Sequence, residues 1–197
     1  MKISNPPITN IVFSGVGGQG IILASALVTE AALSEGYDVK ANEVHGMAQR
    51  GGSVICQIRY GEKIHSPLVQ KGAADFLVAL EIIEALRYVE YMKPEGLCLV
   101  NSQRIIPTTV SSGIAEYPAD PESSVKDMFP HYKITDCLTL AQKAGSARCV
   151  NVVMVGWLSR FLPFSEETWQ SVLKNQLQSK RLVTNQKAFL SGRTIED

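Results

Sequence analysis

The residues best suited to do chemistry lie in a glycine-rich segment near the start of the chain. Gly15, Gly17 and Gly20 fit the spacing G-x-G-x-x-G, after a short apolar run and before a long apolar segment. A strand before this spacing and a helix after it form a phosphate-binding turn, because the helix start offers free N–H groups to an anion. We predict a phosphate or pyrophosphate site formed by Gly15, Gly17, Gly18, Gln19 and Gly20. The alternative is a close-packed turn without a ligand.

A second unusual segment follows the next strand and includes Glu43, His45, Gln49 and Arg50. In dinucleotide sites an acidic residue about 20 positions after the glycines binds a ribose hydroxyl, and Glu43 either has this role or caps the loop. Arg50 is a cation suited to a carboxylate or phosphate, or else forms a surface ion pair. His45 is an acid–base group or a loop hydrogen-bonder. Because loops at the carboxyl ends of parallel strands bind ligands, we predict that this segment, Gln49 included, faces the same crevice as the glycines.

The elements that must position these residues alternate between strands and helices. Strands are predicted over residues 9–14, 37–44, 53–60, 63–66, 75–80, 97–101 and 133–136, with a hairpin turn at Gly61-Glu62. Helices are predicted over 19–34, 81–92, 123–128, 138–143, 147–162 and 166–178, with a further helical turn at 187–190. The helix over 147–162 is apolar nearly all round, so it is buried and could pack against a partner chain.

This order predicts the α/β class: a three-layer αβα architecture with a mostly parallel, Rossmann-like sheet, an added hairpin and C-terminal helices. One domain is expected over residues 1–197, with a helical part over about 138–192.

Composition narrows the class of protein. Nineteen basic and nineteen acidic residues cancel, so no nucleic-acid or membrane surface is expected. The four cysteines are scattered without a C-x-x-C pair, so we predict no metal or iron–sulfur site and reduced thiols in a cytoplasmic protein. The apolar stretch over 152–158 is too short to span a bilayer.

The two loops together resemble a known family. Gly15-Val16-Gly17-Gly18-Gln19-Gly20, followed by Glu43-Val44-His45-Gly46-Met47-Ala48-Gln49-Arg50-Gly51-Gly52-Ser53, is similar to the gamma-type (pyruvate/ketoisovalerate oxidoreductase-like) domain of the 2-oxoacid:ferredoxin oxidoreductases. Length and element order agree over nearly the whole chain. Within the family, the match favours the small (beta) subunits that act on indolepyruvate.

The resemblance implies a subunit of a cytoplasmic enzyme that oxidatively decarboxylates a 2-oxoacid, expected to be indolepyruvate or another aryl 2-oxoacid, to an acyl-CoA. It associates the gamma-type domain with coenzyme A as co-substrate. Because this chain lacks the G-D-G signature of thiamine sites and the cysteines of clusters, thiamine diphosphate, Mg and [4Fe–4S] are expected on a large partner subunit. Ferredoxin would then interact through the complex, and the isolated chain could form a homodimer.

Three functional hypotheses follow for the chain itself. The first is a subunit of such an oxidoreductase that is inactive alone, with no catalytic residue identified in the sequence. The second is a free-standing NAD(P)-dependent dehydrogenase built on the same glycine loop. The third is a purely structural assembly subunit, whose glycine loops only contact the partner.

Overall fold

A computed structural model of the protein describes residues 8–45, 51–114 and 116–196. The described residues form one six-stranded sheet in the order β2-β3-β1-β4-β5-β6. The strands are β1 (Thr9–Val16), β2 (Asp38–His45), β3 (Ser53–Gly61), β4 (Ala74–Ala79), β5 (Met92–Asn101) and β6 (Tyr132–Thr135). Neighbouring strands are parallel except where β3 pairs with β1 and β2.

Helices cover both faces of this sheet. They are α1 (Ile21–Ser34), α2 (Ile82–Arg87), α3 (Thr108–Ser111), α4 (Pro121–Met128), α5 (Cys137–Ala144), α6 (Val150–Leu158), α7 (Glu166–Gln176) and α8 (Ser179–Arg193). One hydrophobic core lies between the sheet and α1, α5, α6, α7 and α8, and a smaller core lies under α2 and α4. The mostly parallel three-layer α/β prediction is therefore confirmed.

The first strand is buried on both faces, as its continuous apolar sequence predicts. Ile11 and Phe13 contribute to the larger core, and Val12 contributes to the smaller one on the opposite face. All three side chains are fully buried. Because successive side chains of a strand alternate between faces, β1 anchors both layers and fixes the position of the loop that follows it.

The hairpin is not where the sequence indicates. The predicted strand over 63–66 is wrong: these residues lie outside the sheet, and the Ile64 N–H donates to the Asp38 carboxylate at 2.8 Å. Instead β2 and β3 form the hairpin, with Glu43 opposite Cys56, and β3 inserts between β2 and β1. The strand predicted over residues 53–60 is confirmed as β3, but the sequence pattern within one strand does not specify which strands pair with it.

The C-terminal helices pack on α1. All nine residues of α6 are buried, and they are covered by α1, α5 and α8 of the same chain. The predicted helix over 147–162 is shorter than expected, because 3₁₀ turns form both of its ends. Only one turn of α8 was predicted, since its buried face carries Asn185, Ala188, Phe189 and Gly192 and so lacks a continuous apolar stripe. The predicted helix over 81–92 is also too long, because Met92 already begins β5.

Candidate functional site

The glycine loop connects β1 directly to α1. Gly18 and Gly20 have φ values of 104° and 79°, in the left-handed region that favours glycine. Gly20 is also the N-cap of α1, and no side chain caps this helix start within the described residues. The first turn of α1 contains no acidic side chain. The positive end of the helix dipole is therefore left uncompensated at the loop.

Several backbone N–H groups of the loop already have partners. Val16 N donates to the Gln19 side-chain oxygen at 2.8 Å, and Gly17 N donates to the Gly52 carbonyl at 2.8 Å. Gln19 N donates to the Val16 carbonyl at 3.1 Å. The predicted phosphate site in this loop stays a prediction, and these three N–H groups are not available to an anion. The N–H groups left for a ligand are those at the start of α1, which have no acceptor within the helix.

Gln19 positions this loop with its side-chain amide. Its nitrogen donates to the Leu80 carbonyl at 2.9 Å and to the side-chain oxygen of Gln103 at 3.3 Å. The Asn101 amide donates to the same two oxygens, at 2.9 and 3.3 Å. Gln19 therefore links the carboxyl ends of β1, β4 and β5, and its predicted ligand contact stays a prediction.

The second loop lies against the first, as far as it is described. Gly51 N and the Gly17 carbonyl are 3.5 Å apart, in addition to the bond between Gly17 and Gly52. The Ser53 hydroxyl donates to the Glu84 carboxylate and lies 2.9 Å from the Tyr88 hydroxyl, so it anchors this loop to α2. Gln49 and Arg50 lie outside the described residues, and their roles stay predictions.

The backbone of His45 ends β2 opposite Val54, and its proposed acid–base role also stays a prediction. Glu43 does not lie beside the glycine loop. It pairs with Cys56 of β3, and Cys56 in turn pairs with Phe13 of β1. One strand therefore separates the exposed Glu43 from the strand that leads to the loop. Burial, followed by the Glu43 charge, raises the pKa of Cys56 to about 12. The dinucleotide arrangement places the acidic strand next to the first strand, so this geometry does not favour the dehydrogenase hypothesis.

A cavity of about 450 Å³ opens at the start of α1. Gly18, Gln19, Gly20 and Leu23 line one side of it. Gln103 and Leu138 line another side, and Ala147, Arg148, Val150 and Asn151 complete the wall. A cavity of this size at the carboxyl edge of a mostly parallel sheet is a typical ligand site.

Arg148 and Asn151 were not singled out in the sequence. The Asn151 amide donates to the Gly20 carbonyl at 3.0 Å, across 131 positions of sequence. Its oxygen is buried without a hydrogen-bond donor among the described residues. The signal that could have identified both residues is the helix start after Ser146. Nothing in the local pattern, however, indicates that this helix begins beside the glycine loop.

The charge of the cavity favours an anion. None of the described residues that line it is an aspartate or glutamate. Arg148 is exposed and makes no ion pair within the described part of the chain. A guanidinium and an uncompensated helix start therefore act on the same space, which suits a phosphate or carboxylate group.

The described residues offer no metal-binding cluster and no membrane-spanning helix. Among residues 8–45, 51–114 and 116–196, no group of three or more His, Cys, Asp or Glu could hold a metal ion. In that same part of the chain, no helix is both long and apolar enough to cross a membrane. The cavity at the start of α1, which the glycine loop lines, is the candidate site for a ligand.

Comparison with known proteins identifies the class. Residues 10–195 match the pyruvate ferredoxin/flavodoxin oxidoreductase family, and the chain belongs to this family. The family resemblance stated above is therefore confirmed, and the chain is a subunit of an oxidoreductase.

The particular relatives are oxidoreductase subunits. Indolepyruvate oxidoreductase subunit IorB of Thermococcus kodakarensis is 42% identical over 188 residues, which cover 93% of each chain. Pyruvate oxidoreductase subunit PORC of Thermotoga maritima has the same fold, with a TM-score of 0.72 and 20% identity over 95% of this chain and 96% of that one. The 2-oxoglutarate:ferredoxin oxidoreductase of Magnetococcus marinus was solved with 2-oxoglutarate, coenzyme A and succinyl-CoA bound. The match to the Magnetococcus marinus chain has a TM-score of 0.72 and 20% identity. It covers 95% of the present chain and 31% of the Magnetococcus marinus chain.

Proposed function

We propose that this chain is the small subunit of a 2-oxoacid:ferredoxin oxidoreductase that converts indolepyruvate, or another aryl 2-oxoacid, to an acyl-CoA. Its part in the reaction is to bind coenzyme A in the cavity at the start of α1. Thiamine diphosphate, Mg, the [4Fe–4S] clusters and the contact with ferredoxin belong to a large partner subunit in a cytoplasmic complex. The isolated chain has no turnover of its own.

The observation that carries this proposal is the cavity of about 450 Å³ with Arg148 and the α1 start at its wall and no carboxylate among its described lining residues. Coenzyme A carries a pyrophosphate, which needs N–H donors and a cation. The N–H groups of the first turn of α1 supply donors, and the Arg148 guanidinium supplies a charge-assisted contact. The coenzyme A bound in the Magnetococcus marinus enzyme agrees with this choice of ligand.

The remaining walls suit the rest of the ligand. Leu138 and Val150 line the cavity with apolar side chains that can contact the pantetheine arm. Gly18 has open space where a side chain would stand, so the backbone can approach the ligand closely. Gln19 holds these groups in place through its three hydrogen bonds. The chain thus binds and orients coenzyme A, and the transfer of the acyl group to its thiol takes place on the partner subunit.

Co-expression with the large subunit tests this function. We expect the two chains to purify together and to reduce ferredoxin with indolepyruvate only when coenzyme A is added, with one acyl-CoA formed per 2-oxoacid consumed. The purified small chain with added thiamine diphosphate and Mg should show no turnover. Turnover by the small chain alone, or reduction of NAD(P)⁺ by it, would reject the assignment of roles.

A further inference from the structure

A second cavity, of about 460 Å³, adjoins the first. It lies between the start of α6, the end of α7 and the start of α8, and we call it the helical groove. Leu23, Arg148 and Asn151 line both cavities, so one ligand can extend from the glycine loop into the helical groove. Arg181, in the first turn of α8, lines the helical groove and not the cavity at the glycine loop.

The helical groove combines a cation with neutral walls. None of its described lining residues is acidic, and Arg181 makes no ion pair within the part of the chain that the structure describes. Burial raises the pKa of the Cys149 thiol in the groove wall, and the Ser146 hydrogen bond and the Arg181 charge oppose this effect. An anion entering the groove would meet Arg181 without competition from a described carboxylate.

The other walls suit a nucleoside. Leu23 and Leu177 provide apolar surface on which a flat base can pack. Gln176 and Gln178 provide amide groups that can donate to, or accept from, the polar edge of a base. Few precisely placed polar groups on a mostly apolar surface are typical of small-molecule sites.

We propose that the helical groove binds the adenosine end of coenzyme A and that Arg181 contacts its 3′-phosphate. This inference rests on the function proposed above and adds a determinant of ligand choice to it. Coenzyme A has phosphate groups at two separate places, and two arginines, Arg148 and Arg181, line the helical groove. Arg148, at the junction of the two cavities, serves the pyrophosphate. Arg181 distinguishes coenzyme A from ligands that lack the 3′-phosphate.

The test compares two ligands that differ only in that phosphate. The Michaelis constants for coenzyme A and for dephospho-coenzyme A are measured on the assembled two-subunit enzyme, for the unsubstituted chain and for Arg181→Gln. Lys187→Gln is the matched control, because it removes one positive charge from α8 at an exposed position that lines neither cavity. Arg181→Lys tests whether charge without the planar guanidinium suffices.

The unsubstituted enzyme should prefer coenzyme A by about 10- to 150-fold, the range expected for a charge-assisted hydrogen bond. Arg181→Gln should lose this preference, with the constant for dephospho-coenzyme A unchanged within about twofold. Lys187→Gln should behave as the unsubstituted enzyme, and Arg181→Lys should recover part of the preference. A full preference in Arg181→Gln, or equal Michaelis constants for the two ligands in the unsubstituted enzyme, would overturn the inference while leaving coenzyme A as substrate. An unsubstituted enzyme whose turnover needs neither ligand would instead reject the function on which the inference rests.

Discussion

Asn151 of α6 donates its side-chain amide to the carbonyl of Gly20 at 3.0 Å, and this bond joins the two halves of the candidate site. Gly20 is the N-cap of α1 at the end of the glycine loop, and Asn151 lies in the first turn of the buried helix α6. A Cβ added at Gly20 would lie 2.5 Å from the Asn151 amide nitrogen. Position 20 therefore requires glycine for two reasons: a side chain there would collide with Asn151, and the φ of 79° favours glycine.

The first prediction separates these two requirements. Gly36 also has a positive φ, of 85°, but a Cβ there would meet no atom within 4 Å. Gly36→Ala should lower the free energy of unfolding by about 1–2 kcal/mol through backbone strain alone. Gly20→Ala should cost roughly 1 kcal/mol more, because Asn151 must move and its hydrogen bond is lost. Urea unfolding of both variants measures the difference. Equal losses would show that the contact with Asn151 contributes nothing.

The second prediction concerns the contact of α6 with α8. A Cβ at Gly192 would lie 2.0 Å from the Val153 carbonyl oxygen, and one at Gly156 would lie 2.1 Å from the Phe189 carbonyl oxygen. Because backbone atoms cannot rotate away as side chains do, either alanine must separate the two helices. Gly192→Ala should therefore cost more than about 4 kcal/mol of the free energy of unfolding.

Ser191→Ala is the control for this substitution. It changes the neighbouring residue, whose hydroxyl donates to the Lys187 carbonyl, and should alter the free energy of unfolding by less than about 0.5–1 kcal/mol. Thermal or urea unfolding of the full chain measures both variants. A Gly192→Ala chain as stable as Ser191→Ala would contradict the close packing of α6 and α8.

These contacts also show what could be predicted from the sequence. The apolar run of β1, the glycines after it and the long apolar α1 are local patterns, and they correctly indicated a strand, a turn and a helix. The partners of β3, and the approach of α6 to Gly20, depend on contacts between residues that are distant in sequence. Asn151 and Arg148 therefore could not be connected with the site from local spacing. Glycines such as Gly192 weakened the pattern of α8, although in the structure they permit its closest packing.

The third prediction uses the buried thiols. Cys56, Cys98 and Cys137 are fully buried, whereas Cys149 is 6% exposed and lines the helical groove. Iodoacetamide should therefore modify Cys149 first in the folded chain, and all four thiols should react in urea. Burial raises the pKa of Cys149 above its ordinary value of 9.0. Since only the thiolate reacts, the rate should still increase as the pH rises through 9.

Peptide mapping by mass spectrometry after timed labelling identifies the reacting thiol. Cys56, whose pKa is about 12, serves as the internal control and should stay unmodified at pH 8 until the chain unfolds. Labelling of Cys56 or Cys98 before Cys149 would contradict the burial described here. Under the further inference, saturating coenzyme A should slow the labelling of Cys149.

If coenzyme A binds at the start of α1 and contacts Arg148, titration calorimetry of the assembled two-subunit enzyme will measure the contribution of that contact. Arg148→Gln removes a charge-assisted contact, so the affinity for coenzyme A should fall by about 10- to 150-fold. Lys143→Gln, an equal change of charge at an exposed position that does not line either cavity, should change the affinity by less than about twofold. Gel filtration should show that both variants still assemble with the large subunit. We expect a loss of affinity confined to Arg148→Gln, and an unchanged affinity in that variant would show that Arg148 does not bind coenzyme A.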